Sequence, residues 1–225
     1  MKSQHLFAAS YIFITLLEIT ADITGHYWLV YVTKPMILIL LMFYAQLVPD
    51  QRKPGNRKFF LPALFFALLG DILLMIKETD LFIPGLAAFL IMQILYCISF
   101  ISDIRPPLSF ASIWSKIPFI VFALALYLIL LPTLPDLIMK VSVAVYAYSI
   151  ATMTWLAWLR KTSVSASSFY MVFAGALLFM ISDSCIAIHR FLIPIPLNTV
   201  WVMGTYAAAQ YFIMMGYLKT KQAGD

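Results

Sequence analysis

The sequence predicts an all-α fold: a polytopic integral membrane protein with eight transmembrane helices. Three observations predict it. Of 225 residues, 63% are hydrophobic and 11% charged, where a soluble domain carries about 25% charged residues. The mean hydropathy is +0.94. The apolar residues run in continuous stretches, which suits spanning helices and not the ~9–11-residue alternating strands of a membrane barrel. The net charge of +5 is modest and sits mostly in loops, a pattern that suits membrane orientation better than nucleic-acid binding. Cys97 and Cys185 both fall inside apolar stretches and read as buried thiols, not as a disulfide or metal pair.

A spanning helix needs ~20 mostly apolar residues. The first segment, 6–21, has one lysine before it and Glu18 near its end. No small-x-small cleavage site follows, so it reads as a span and not as a signal peptide. A polar turn with Gly25 leads to the second segment, 27–48. The basic loop PDQRKPGNRK (49–58) precedes the third, 59–76. Pro84 opens the fourth, 82–102, where its missing N–H costs nothing. Prolines 106–107 and 132–135 bracket the fifth, 113–131, and the sixth follows at 136–159. The seventh is 167–188; Pro194 and Pro196 separate it from the eighth, 197–218. No loop is long enough for a second domain, so residues 1–225 are expected to form one membrane domain.

Orientation follows from lysine and arginine. Eight segments put both termini on one side. That side receives Lys2, Arg52, Lys53, Arg57, Lys58, Arg105, Lys116, Arg160, Lys161, Lys219 and Lys221. The other receives Lys77, Lys140 and Arg190. The bias makes both termini cytoplasmic. Lys34 lies within the second segment.

Two stretches echo one another: LPALFFALLGDILLMI (61–76) and FAGALLFMISDSCIAI (173–188). Each is apolar with one aspartate inside, Asp71 and Asp183. The segments after them each carry a glutamine and a tyrosine, Gln93 with Tyr96 and Gln210 with Tyr206. The offset of four segments predicts a parallel 4+4 pseudo-repeat. Each aspartate lies five residues before the end of its segment, ~7–8 Å below the outer boundary. Lys34 falls ~10 Å below the same boundary. An ionisable residue inside a membrane is expensive and functional by default. Asp71 and Asp183 are therefore the candidate catalytic pair. Lys34, Gln93, Tyr96, Tyr148, Ser182, Tyr206 and Gln210 are the candidate substrate-binding groups of an outward-opening polar pocket, whose cytoplasmic half is expected to be comparatively empty of polar groups. The bland alternatives are an ion pair of Lys34 with either aspartate, and glutamines serving as interhelical glue.

No metal is expected. The histidines are His5, His26 and His189; Asp183 and His189, six residues apart, do not share a helical face, and a catalytic zinc needs three converging ligands. Ser182 and Ser184 flank Asp183 without a nucleophile elbow and read as backbone-bonding or carboxylate-orienting groups.

At these residues the sequence resembles a known family, the transmembrane lysoplasmalogenases or YhhN family. The resemblance rests on Lys34-Pro35, ALLGDILLM (67–75), PGLAAFLIMQILY (84–96), GALLFMISDSCIAIHRF (175–191) and the 206–210 segment. One departure is Gln93, where the family pattern often has histidine. The resemblance implies cleavage of the vinyl ether of a lysoplasmalogen, with a fatty aldehyde and glycerophosphoethanolamine or glycerophosphocholine as products. It implies a lysophospholipid substrate among membrane lipids, no cofactor, and carboxylate acid–base chemistry at Asp71 and Asp183 with Lys34 on the phosphate. The competing reading of the same charges is a proton-coupled carrier of a small solute or lipid. Its weak point is the lack of a clearly broken helix at mid-membrane.

Overall fold

The structure, a computed structural model, describes residues 2–48, 58–76, 78–105 and 110–219. Residues 49–57 of the expected basic loop (49–58), Pro106-Pro107, Lys77 and Lys221 lie outside them. The described chain is all helix, with no strand: α1 (Lys2–Ile23), α2 (Tyr27–Leu47), α3 (Phe60–Met75), α4 (Phe82–Ile101), α5 (Phe110–Trp114), α6 (Ile117–Leu130), α7 (Leu137–Leu159), α8 (Ala166–Phe191) and α9 (Asn198–Leu218). Short 3-10 turns follow α6 and α7.

Most boundaries fall within a few residues of those expected. The fifth segment differs, being split into α5 and α6. Pro118 cannot supply an N–H in a helix, and its ring would strike the carbonyl of Trp114. Ser115 diverts its hydroxyl to the carbonyl of Ser112 at 2.6 Å, and α6 restarts with the proline in its first turn. Elsewhere the ends are capped as the residues suggest: Asp136 accepts the N–H of Met139 at 2.7 Å and starts α7.

Six helical stretches are long and apolar enough to cross a membrane: 4–23, 27–47, 82–101, 112–133, 137–162 and 166–191. Large apolar side chains such as Phe13, Leu16, Phe43, Leu124 and Leu128 point outward, a surface that belongs in lipid and not in water. The protein is an integral membrane protein. α3 is shorter, with 16 residues. α9 has 21 residues but carries Asn198, Thr199, Thr205 and Gln210. Its buried face runs from Met203 to Leu218, so it needs less greasiness than a helix facing lipid.

The closest helix pairs are α8 with α9 and α3 with α4. A Cβ on Gly175 would stand 2.8 Å from the carbonyl oxygen of Ala209, and one on Gly216 would stand 2.9 Å from the amide of Val172. α4 also lies on α7, and α1 on α2 and α9; the Tyr11 hydroxyl donates to the carbonyl of Ala207 at 2.9 Å. Stacked rings, among them Phe60 on Tyr217 at 4.2 Å, fill the half near the termini.

That half is not empty of charge, which corrects the sequence reading. Arg160, counted there as a loop cation, is 0% exposed. Its Nε meets Asp103 Oδ2 at 2.9 Å, and its Nη2 donates to Ser168 Oγ at 3.0 Å. Ser168 in turn donates to the carbonyl of Gly216 at 2.8 Å. A bidding of Arg160 for water is lost to this network because three helix ends close over it.

Candidate functional site

Six helix ends meet at the end of the bundle away from Lys2 and Lys219: the C-terminal ends of α1, α3 and α8 and the N-terminal ends of α2, α4 and α9. They enclose a polar cavity of about 470 Å³ whose wall includes Glu18, Asp22, Lys34, His189, Arg190 and Asn198. Lys34 sits just before Pro35, which is inside α2 and offers no N–H to the carbonyl of Tyr31. Arg190 is already neutralised: its Nη2 pairs with Asp80 at 2.8 Å, and its guanidinium lies 4.1 Å over the Phe82 ring. His189 Nδ1 accepts the N–H of Ile195 at 2.9 Å and so holds the turn before α9.

Leu74, Phe82 and Ile186 are shared between this cavity and a small apolar cleft of about 50 Å³. The cleft contains Tyr146 and Asp183, and a second apolar cleft of about 60 Å³ meets it at the same two residues. The Tyr146 hydroxyl donates to Asp183 Oδ2. Polar cavity, first cleft and second cleft thus succeed one another, with Asp183 in the wall common to both clefts.

Asp71 lies deeper and is 4% exposed. Its Oδ2 accepts the Tyr206 hydroxyl at 2.7 Å. The Phe89 ring separates the two carboxyl–tyrosine pairs. It stands edge-on to Tyr206 at 6.1 Å and lines the first cleft on its other side. Gly70 makes room for it, since a Cβ there would come within 2.7 Å of the ring. In each pair the tyrosine occupies one carboxyl oxygen. The other oxygen is left to give or take a proton.

The remaining residues expected at the site fall in three places. Tyr96 donates to Gln210 Oε1 at 2.7 Å, and the Gln210 amide reaches Met92 Sδ at 3.5 Å; this pair is fully buried below Asp71 and Tyr206. Ser182 is also buried and donates to the carbonyl of Val202 at 3.0 Å, stitching α8 to α9. Gln93 is 0% exposed, lies toward Tyr146, and has neither amide atom in a hydrogen bond. Tyr148 stands apart. It is 59% exposed, and its hydroxyl takes the Lys116 ammonium at 3.0 Å.

So Lys34 lines the polar cavity and Asp183 lines the two clefts, while Asp71 is buried behind them with Tyr206, and no single cavity holds all three. Two groups missing from the expected site are Tyr146 and Glu18. Tyr146 and Tyr148 are two residues apart on an apolar helix, and nothing in their own segment tells which faces inward. Among the described residues no three His, Cys, Asp or Glu side chains converge as metal ligands would.

Curated relatives bear on this arrangement. Lysoplasmalogenase TMEM86A of Bos taurus is 28% identical over 172 residues, 75% of this chain and 68% of that protein. Human lysoplasmalogenase TMEM86B is 31% identical over 159 residues, 70% of this chain and 62% of that protein. The lysoplasmalogenase of Mycobacterium tuberculosis is 27% identical over 207 residues, 91% of this chain and 76% of that protein. No solved structure matches. The YhhN family model matches residues 29–217, which takes in both aspartates, both tyrosines and Lys34, and the chain belongs to the YhhN family.

Proposed function

We propose that this chain is a lysoplasmalogen hydrolase of the membrane. Water is added across the vinyl ether of a 1-alkenyl lysophospholipid, releasing a fatty aldehyde and the glycerophospho-alcohol. The observation that carries the reading is the tyrosine-held carboxyl of Asp183 in the wall of two apolar clefts, the first of which shares Leu74, Phe82 and Ile186 with a polar cavity. A lysolipid has the same division, with a charged head and one chain. Curated relatives named lysoplasmalogenase support the substrate class.

In this reading Asp183 protonates the alkene carbon next to the ether-bearing carbon, giving an oxocarbenium ion. Its position between the two apolar clefts, where the chain would lie, supports that role. Asp71 stabilises the cation and takes a proton from the attacking water. The hemiacetal then collapses: the C–O bond to glycerol breaks, the departing glycerol oxygen takes the proton held by Asp71, the hemiacetal O–H gives its proton back to Asp183, and the aldehyde is freed. Tyr146 and Tyr206 fix the two carboxyls. Lys34 holds the phosphate, and its place in the polar cavity supports that. No helix is broken beside either carboxyl, so nothing favours the carrier over the hydrolase. The test is incubation of detergent-purified protein with alkenyl and ester lysolipids, with mass-spectrometric detection of products. Release of aldehyde from the alkenyl lipid alone is expected; equal cleavage of the ester lipid would mean that a different bond is cut.

The proposal includes eight crossings in one membrane domain, α5 and α6 together making the fifth, with both termini cytoplasmic. The α3–α4 and α8–α9 pairs then correspond in a parallel repeat, each joining an aspartate helix to a Gln/Tyr helix.

A further inference from the structure

Building on that reading, we infer that Glu18 and Asn198 form a subsite for a primary ammonium, so that the enzyme selects lysolipids with an ethanolamine head group. The polar cavity has two poles. The acidic one is on α1, with Glu18 and Asp22 four residues apart on one face. The basic one is on α2 and α8, with Lys34, His189 and Arg190. Most of these groups are engaged. Asp22 accepts the Thr199 hydroxyl, Arg190 is paired with Asp80, and His189 Nδ1 is held by the backbone of Ile195.

Glu18 is not. It is 1% exposed, lines the cavity, and its Oε2 has no hydrogen-bond partner. Asn198 lines the same cavity, and its Oδ1 is likewise buried without a partner. Buried acceptors are almost always satisfied in folded proteins, by the protein or by what it binds. Lys34 and Glu18 line the same cavity, and among the described residues no ion pair joins them, so the cavity lies open between the opposed charges. A guest with an anion at one end and several N–H donors at the other fills that gap: phosphate on Lys34, ammonium on Glu18 and Asn198. An ethanolamine head has three such donors. A choline head has the charge and no N–H. A phosphoglycerol or bare phosphate head brings no cation to the acidic pole. Glu18 also lies in α1, outside the residues 29–217 matched by the family model.

The experiment uses four lysolipids with one alkenyl chain and phosphoethanolamine, phosphocholine, phosphoglycerol or phosphate heads. A parallel set with saturated alkyl ethers, which cannot be protonated at carbon, is used for binding by calorimetry in detergent. Wild-type protein should favour ethanolamine over phosphoglycerol by roughly ten- to hundred-fold in kcat/KM and in Kd, as charge-paired contacts do. Glu18→Gln should bring that ratio to within about threefold. Asn198→Ala should narrow the ethanolamine-over-choline ratio. A Glu18→Gln protein that loses all four lipids by one common factor would overturn the assignment, as would wild-type protein binding the four alkyl lipids equally. The second outcome decides the matter even where the variant does not fold. If no alkenyl lipid is cleaved, the proposed reaction fails, and the alkyl-lipid binding order still tests the subsite by itself.

Discussion

At the scale of single residues, the proposed chemistry rests on Asp71 and Asp183 and on the tyrosine that holds each. Asparagine keeps the shape and one hydrogen-bond acceptor of aspartate, but it cannot pass the proton. Asp71→Asn and Asp183→Asn should each lower vinyl ether cleavage by about 10²–10⁴-fold in protein that a thermal-shift measurement shows to be folded. Near wild-type turnover in either would end the paired-carboxyl mechanism. Proton transfer to carbon should also make turnover slower in deuterated water. The tyrosines give a sharper contrast. Tyr146→Phe removes the donor to Asp183 and should cost roughly ten- to hundred-fold. Tyr148→Phe, two residues along on the exposed face, should cost less than about threefold by the same steady-state assay. The aspartates stand out in the sequence because a carboxyl in a greasy stretch is costly, an ion pair with Lys34 being the bland alternative. Tyr146 was not legible, because tyrosine is at home on either face of an apolar helix. Glu18 sat close enough to a helix end to pass for an interfacial charge.

At the scale of helices, lengths and turns were legible because apolar runs and prolines mark them directly. The break between α5 and α6 was missed, since Ser115, Lys116 and Pro118 are brief interruptions of a long apolar stretch, and it is the proline together with the competing hydroxyl of Ser115 that makes the kink local. Pairing was less legible still. The close approach of α8 to α9 depends on glycines that look alike in sequence and differ in surroundings. At Gly175 an added methyl meets backbone atoms, Ala209 O at 2.8 Å and Ile213 N at 2.9 Å; at Gly204 it meets nothing within 4 Å. Gly175→Ala should therefore push the helices apart and destabilise the protein by about 1–3 kcal/mol. Gly204→Ala should be neutral or stabilise by up to ~1 kcal/mol through helix propensity. Melting temperatures in one detergent compare them; equal melting would show that the helices can slide freely.

At the scale of the whole molecule, the polar cavity and the chain ends lie at opposite ends of the bundle. With eight crossings and the cationic loops inside, substrate would reach the cavity from the outer leaflet. A reporter fused after Asp225 should therefore report the cytoplasm, and one placed between α8 and α9 should report the opposite side. A periplasmic or lumenal signal from the Asp225 fusion would remove both the orientation and the count of eight. The proposed count rests on the distribution of lysine and arginine. The division of one pocket into a wet chamber and two dry clefts was not legible, because it depends on where Leu74, Phe82 and Ile186 turn their side chains.

Arg160 belongs to two moments in the life of the chain. During synthesis the helices enter the bilayer before the bundle has closed, and in the proposed orientation the guanidinium is then a hydrated charge that helps to keep its loop from crossing. Asp103, 57 residues earlier, has already been made and waits at the same face. Only when α7, α8 and α9 assemble does the arginine leave water for the carboxylate and the serine. The same side chain thus acts first as a signpost for insertion and later as a latch on the finished bundle, with the order enforced by the sequence in which the ribosome delivers its partners.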